Sequence, residues 1–148
     1  MKDRYFEILQ YYFIDRLGIN IEKSDIVEED IEGYGYYGIK DHKVHINKTL
    51  TNVEYLTTLA HEFMHLIQYE FKKSQLFNIT DEILYELVDY SMRLVEYEAR
   101  YVELDVLCFI NSQYIEYASD IFDGMDKNNT NYDLFKSKIK NINIKQAI

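Results

Sequence analysis

The chain has 148 residues, the size of one domain built on one hydrophobic core. Hydrophobic residues make up 47% and charged residues 28%, a balance that describes a globular chain and excludes a disordered one. The net charge is -10, and no basic run is longer than Lys72-Lys73. That argues against nucleic acid as a direct partner, because a phosphate-backbone binder needs clustered Lys and Arg; a basic or neutral protein suits the charge better.

The single cysteine, Cys108, excludes an intrachain disulfide and sits in the apolar run Val106 to Ile110, where it reads as a buried filler. This usage fits a reducing cytoplasm. The first residues lack the apolar stretch of a signal peptide, and no apolar run approaches the ~20 residues of a membrane span. The expectation is one cytoplasmic domain over residues 1–148 with no membrane partner.

In chain order, the first element is an amphipathic helix over about Asp3 to Leu17, with Phe6, Leu9, Phe13 and Leu17 at three- and four-residue spacing. Gly18 and Asn20 suit its end. From Ile21 to Ile46 the residues favour strands, punctuated by Gly33, Gly35, Gly38 and Lys40-Asp41. Two or three short antiparallel strands are expected, the last at Lys43 to Asn47 with Val44 and Ile46 on one face. Thr51-Asn52-Val53-Glu54 matches a capping box, and the helix behind it runs to about Phe71. Thr80-Asp81-Glu82 is a second start signal, for a long helix to about Ile110. Further helices are expected at about Tyr114 to Phe122 and Tyr132 to Ile142, joined by a loop from Gly124 to Asn131. The fold class is α+β, mostly helical, with a small antiparallel sheet beside the second helix.

That second helix carries His61-Glu62-Phe63-Met64-His65. Residues four apart lie one above the other on a helix, so both imidazoles can aim at one point and share one Zn²⁺. Glu62, one step round, can reach a water held there and act as the base that activates it, later passing the proton to a leaving amine. A chance occurrence of the pattern is expected in roughly one chain of this length in a few hundred. The capped amphipathic context, after a strand, lowers those odds further.

A catalytic zinc needs a third protein ligand and an open position. His42 and His45, three apart on the expected strand, point to opposite faces, so at most one of them faces the site. A carboxylate from Glu96-Tyr97-Glu98-Ala99-Arg100 is the better source. Helical phase buries Glu98 with Leu94, Val95 and Val102, whereas the small Ala99, one turn on, lets the helices approach near Glu96. The residues themselves leave the two glutamates nearly even.

Between about Gly33 and Leu107 the chain resembles the ImmA/IrrE-like zinc peptidases, of the gluzincin class. Gly35-Tyr36-Tyr37-Gly38 with His42-Lys43-Val44-His45-Ile46-Asn47 looks like that family's strand ahead of its active helix. Thr57 to His65 looks like its tLAHExxH segment, and Glu96 to Arg100 like its ExEAN segment. The resemblance implies a zincin-like fold with His61, His65 and Glu96 as zinc ligands and Glu62 as general base. It also implies that an extended peptide of an intracellular protein adds to the sheet edge formed by the strand before the active helix, so that Tyr36 to Asn47 carries the cleft edge. Arg100 departs from the family pattern: Asn or Asp usually stands there and can support a ligand histidine, which Arg cannot accept a bond from. Glu98 and Glu103 are the carboxylates near enough in sequence to substitute. The alternative reading, prompted by Arg100, is a zinc-retaining but catalytically weak protein-binding module. An oxyanion-stabilising residue is also expected, and Tyr90, Tyr97 and Tyr101 are the nearest tyrosines, none preferred.

Overall fold

The computed structural model describes residues 2–113. The expected helices at 114–122 and 132–142, and the loop between them, lie outside those residues. The order of elements is α1 (Lys2–Leu17), β1 (Ile26–Glu29), β2 (Gly35–Gly38), β3 (Lys43–Asn47), α2 (Asn52–Phe71), α3 (Asp81–Leu84) and α4 (Leu94–Gln113). The fold is α+β, with helices dominating a three-stranded sheet. No helix of the described residues is long and apolar enough to cross a membrane.

Helix α2 forms the centre. Leu56, Leu59, Ala60, Phe63, Met64 and Ile67 are all fully buried, the apolar stripe expected from their spacing. Each large apolar side chain buried this way contributes roughly 1.5–3 kcal/mol of transfer free energy. Three neighbours cover the stripe. Helix α1 brings Phe6, its ring 6.2 Å from that of Phe63, together with Leu9 and Phe13. Strand β3 brings Val44 and Ile46, both fully buried, and α4 brings Ala99, Val102 and Val106. Gly18 ends α1 with φ +67°, and the amides of Gly18 and Ile19 bond back to Ile14 and Phe13. Cys108 is half-buried, more open than a core filler.

The sheet is mixed, which corrects the antiparallel expectation. Its order is β1-β3-β2: β2 is antiparallel to β3, but β1 runs parallel to β3, with Ile26 opposite Val44. Asn47 accounts for the crossing. Its Nδ2 donates to the carbonyls of Ile31 and Gly33, and its amide donates to the Tyr34 carbonyl, holding the connection from β1 to β2 across the end of β3. Strand β3 is therefore central rather than an edge, and β2 is the edge strand beside α2.

Two helix boundaries also differ from expectation. Thr51 precedes α2 but makes no side-chain capping bond. Asn52 takes φ +53°, so the chain enters the helix through a left-handed residue, and although Glu54 stands three residues after Thr51 the capping box is not closed. The expected helix from Thr80 to Ile110 is broken. Thr80 caps α3 by accepting from the Ile83 amide, but α3 stops at Leu84, and a separate helix begins at Leu94. The break has partners: Tyr69 donates to the Leu84 carbonyl, and the Glu86 carboxylate caps α4 by accepting from the Leu94 amide. The apolar run that read as helical is turned outward instead, leaving Leu87 fully exposed.

Edge strand β2 lies close against α2. A Cβ built on Gly35 would stand 2.6 Å from the His45 carbonyl oxygen and 3.1 Å from Thr58 Cγ2. Gly35→Ala must therefore shift β2 against the backbone of its partner strand β3, and also crowds Thr58 of α2. The expected cost is about 1–3 kcal/mol, read as a lowered denaturation midpoint at unchanged m-value.

Candidate metal centre

His61 and His65 lie one turn apart on α2, and Glu96 lies in the first turn of α4, where the helix dipole favours a carboxylate. The break before Leu94 puts it there. Nε2 of His61 is 2.9 Å from Glu96 Oε1, and Nε2 of His65 is 3.0 Å from Glu96 Oε2. One ligand atom from each of the three residues falls within 4.8 Å of the others, and Glu96 is 3% exposed.

The far side of each ring is held as well. His61 Nδ1 lies 3.0 Å from a Glu103 oxygen. His65 Nδ1 lies 2.9 Å from Gln68 Oε1. Gln68 cannot turn over, because its Nε2 donates to the Val95 carbonyl at 3.1 Å and to Glu98 Oε1 at 2.9 Å. Its oxygen is therefore the atom that meets His65. His65 consequently donates from Nδ1, and both rings turn Nε2 toward Glu96.

With both rings neutral, two nitrogen lone pairs and a carboxylate would face one another in a nearly closed space. Such a set is held together only by positive charge between its members. Protons are one source. Burial alone would lower the His61 pKa, but the bonds to Glu103 and Glu96 and the charge of Glu62 outweigh it and raise it to about 10. Burial likewise pushes the Glu96 carboxyl upward, yet its bonds to His61 and His65 hold it well below the usual carboxylate range. A divalent ion is the other source. Two histidines and one carboxylate, each braced from behind, form a donor set that fits it.

Glu62 stands beside this set without joining it. It is 7% exposed, and its Oε1 lies 3.9 Å from His61 Nε2. Burial lifts its carboxyl above the ordinary value; the His65 and His61 charges oppose this, and Glu96 and Glu103 add to it. It lines a cavity of about 240 Å³ with Gly35, Tyr36 and Tyr37 on one side and His65, Tyr69 and Tyr90 on the other.

The competing residues are accounted for. Glu98 is fully buried, as helical phase required, but lies away from the cluster, where it accepts from Gln68, Ser74 Oγ and the amides of Gln75 and Leu76. His45 is bound to Glu29 and Asp41, and its ring stacks on Tyr36. His42 belongs to the turn before β3, with φ +58°, and pairs with Glu70. Arg100 reaches only to 3.7 Å from Glu96 Oε1 and supports neither histidine; Glu103 does that for His61. Sequence reasoning missed Gln68, although its place three residues after His65 on the same helix was a usable signal. Tyr90, though 58% exposed, lines the cleft, and Tyr97 does not. Burial, a hydrogen bond to Glu96 and the charges of Glu96 and Glu62 push the Tyr90 phenol upward, which keeps it a proton donor.

Comparison with protein-family models, with curated proteins and with solved structures finds no match to this chain. The functional reading therefore rests on the residues and their geometry.

Glu103→Ala removes the acceptor behind His61 while leaving the three candidate ligands in place. Affinity for Zn²⁺, measured by competition with a chromophoric chelator, is expected to fall about 10- to 100-fold with the far-UV spectrum unchanged.

Proposed function

We propose that the chain is a zinc-dependent endopeptidase of the ImmA/IrrE-like kind, cutting an intracellular protein in a reducing compartment. The observation that carries this reading is the position of Glu62. It is a buried carboxylate with a raised pKa, next to but outside a convergent two-histidine, one-glutamate set, at the floor of an open cleft. A structural metal site has no use for such a group; a hydrolytic one needs it.

His61, His65 and Glu96 would hold the ion. When bound, zinc supplies Lewis acidity, polarising a carbonyl and lowering the pKa of a water towards ~7. Glu62 takes the proton of the attacking water and returns it to the amine that leaves. Its upward-shifted pKa suits both halves of that task, since a stronger base accepts more readily and its conjugate acid still donates. Tyr90 lines the cleft beside Glu96, and its phenol would have to turn from that carboxylate to donate a hydrogen bond to the developing oxyanion. An extended peptide would pair with β2, whose outer edge has no partner strand among the described residues. This moves the expected docking edge from β3 to Gly35–Gly38. The tight approach at Gly35 keeps that edge within reach of Glu62, whose Cγ would lie 3.6 Å from a Cβ at position 35.

Glu62→Gln is expected to keep the parent's zinc stoichiometry, measured by elemental analysis, while lowering peptide hydrolysis by at least about 10²–10⁴-fold. If that variant performs all the biology of the parent, the protein is a zinc-retaining binding module instead. Tyr90→Phe is expected to lower kcat by roughly 10²–10³-fold with zinc content unchanged, as loss of one oxyanion donor does. A KM effect without a kcat effect would assign Tyr90 to substrate binding alone.

A further inference from the structure

The cleft beside Glu62 has two unlike walls. One is the edge of β2, with Gly35, Tyr36 and Tyr37. The other comes from Tyr69 and from the stretch that breaks the expected long helix, and it includes Tyr90, Arg93 and Val95. Arg93 is the one cationic side chain among these lining residues.

Its surroundings set it apart. The other three arginines of the described residues all have carboxylates. Arg4 meets Glu7 at 3.5 Å, Arg16 meets Asp105 at 3.2 Å, and Arg100 meets Glu96 at 3.7 Å. Arg93 has no ion pair among the described residues. Its Nε donates to the Val88 carbonyl at 3.4 Å, which orients the guanidinium, and its Cζ lies 5.5 Å from the centre of the Tyr90 ring. The two terminal nitrogens have no protein acceptor among the described residues, and they form the fork that grips a carboxylate with paired bonds. In a chain with 26 acidic residues, a half-buried arginine without one of them is out of pattern.

We propose that Arg93, walled by the rings of Tyr69 and Tyr90, is the subsite for a carboxylate of the bound peptide. The proposal rests on the peptidase reading and names its substrate class. Tyr69 already donates its proton to the Leu84 carbonyl, so the ring serves as a wall that shields the ion pair from water, not as a second donor. Glu62 repels acid from the inner end of the cleft and confines the carboxylate to the Arg93 side. The carboxylate is either an Asp or Glu side chain within the substrate or the free end of a peptide.

Two peptide sets separate those sources. One is a positional-scanning library of acetylated, amidated octapeptides carrying Glu or Gln at each position in turn. The other is an acid-free library with its C-terminus either free or amidated. Binding to the zinc-loaded, full-length Glu62→Gln protein is read by fluorescence anisotropy. One library is expected to show a preference of about tenfold or more for the carboxylate form. Adding Arg93→Gln is expected to bring that ratio to about one, and Arg93→Lys, which keeps the charge but not the fork, to leave part of it. No preference in either library, or a preference that survives Arg93→Gln, overturns the subsite. Hydrolysis by the parent that is indifferent to the carboxylate removes the subsite and leaves the peptidase. A carboxylate preference without hydrolysis does the reverse.

Discussion

The Glu98 carboxylate lies where water cannot reach it, and it is met by Gln68, Ser74 and the amides of Gln75 and Leu76. An isolated buried carboxylate costs several kcal/mol, and removing the partners of such a group typically costs about 3–5 kcal/mol. Those donors come from α2 and from the loop that leaves it, while Glu98 itself belongs to α4. Helix α4 therefore has one low-energy position against α2, and the chain beyond α2 has one path. A one-residue slip of α4 would leave the charge bare. Gln68 transmits the constraint: with its amide nitrogen held by Glu98 and Val95, its oxygen can only face His65. The orientation of one imidazole is thus fixed by a carboxylate two side chains away.

Glu96 is two residues before Glu98 on the same helix, and its role is the opposite. Glu98 is saturated by hydrogen-bond donors of the helix and loop beside it, whereas Glu96 faces the titratable ring nitrogens of His61 and His65. One buried carboxylate is finished as a structural anchor; the other depends on partners whose charge can change. The carboxylates around His61 favour its protonated form, and a divalent ion would displace the proton. The backing from Glu103, Gln68 and Glu98 sets the three donors before any ligand arrives, which is what keeps the ordering cost of binding low.

Much of this could be read from the residues alone, and the failures share a cause. The stripe Leu56, Leu59, Ala60, Phe63, Met64 and Ile67 was legible because helical periodicity and burial coincide on α2. The convergence of His61 and His65 was legible because both lie on one helix, where spacing determines direction. Glu96 against Glu98 was not, since both are buried and only the neighbouring loop tells which one is already satisfied. The parallel β1–β3 pair was missed because strand partners are chosen by a distant side chain, Asn47, that reaches across the crossover. The break before α4 was missed because Leu84, Leu87 and Val88 have helical spacing, yet Tyr69 and Glu86 take over the backbone groups a continuous helix would use. Local pattern is informative where one element decides the outcome, and uninformative where two distant segments must meet.

That missed break is also what gives the site its open side. A continuous helix from Thr80 would place Glu96 deep in its middle, with the preceding turns alongside α2 where the cleft now lies. Ending α3 at Leu84 and restarting at Leu94 brings Glu96 into a first turn, and lets Tyr90 and Arg93 turn toward Glu62 from a stretch whose only helical part is the short 3₁₀ turn Tyr90–Met92. On the opposite wall, the absence of a side chain at Gly35 lets β2 come close to the same carboxylate. The cleft is therefore made by two local departures from regular structure around one rigid helix pair. The candidate ligand atoms stand on the rigid pair, and the groups that would contact a peptide stand on the two departures. Sequence change can then alter what the cleft accepts at Tyr36, Tyr90 or Arg93 without disturbing the helices that hold His61, His65 and Glu96.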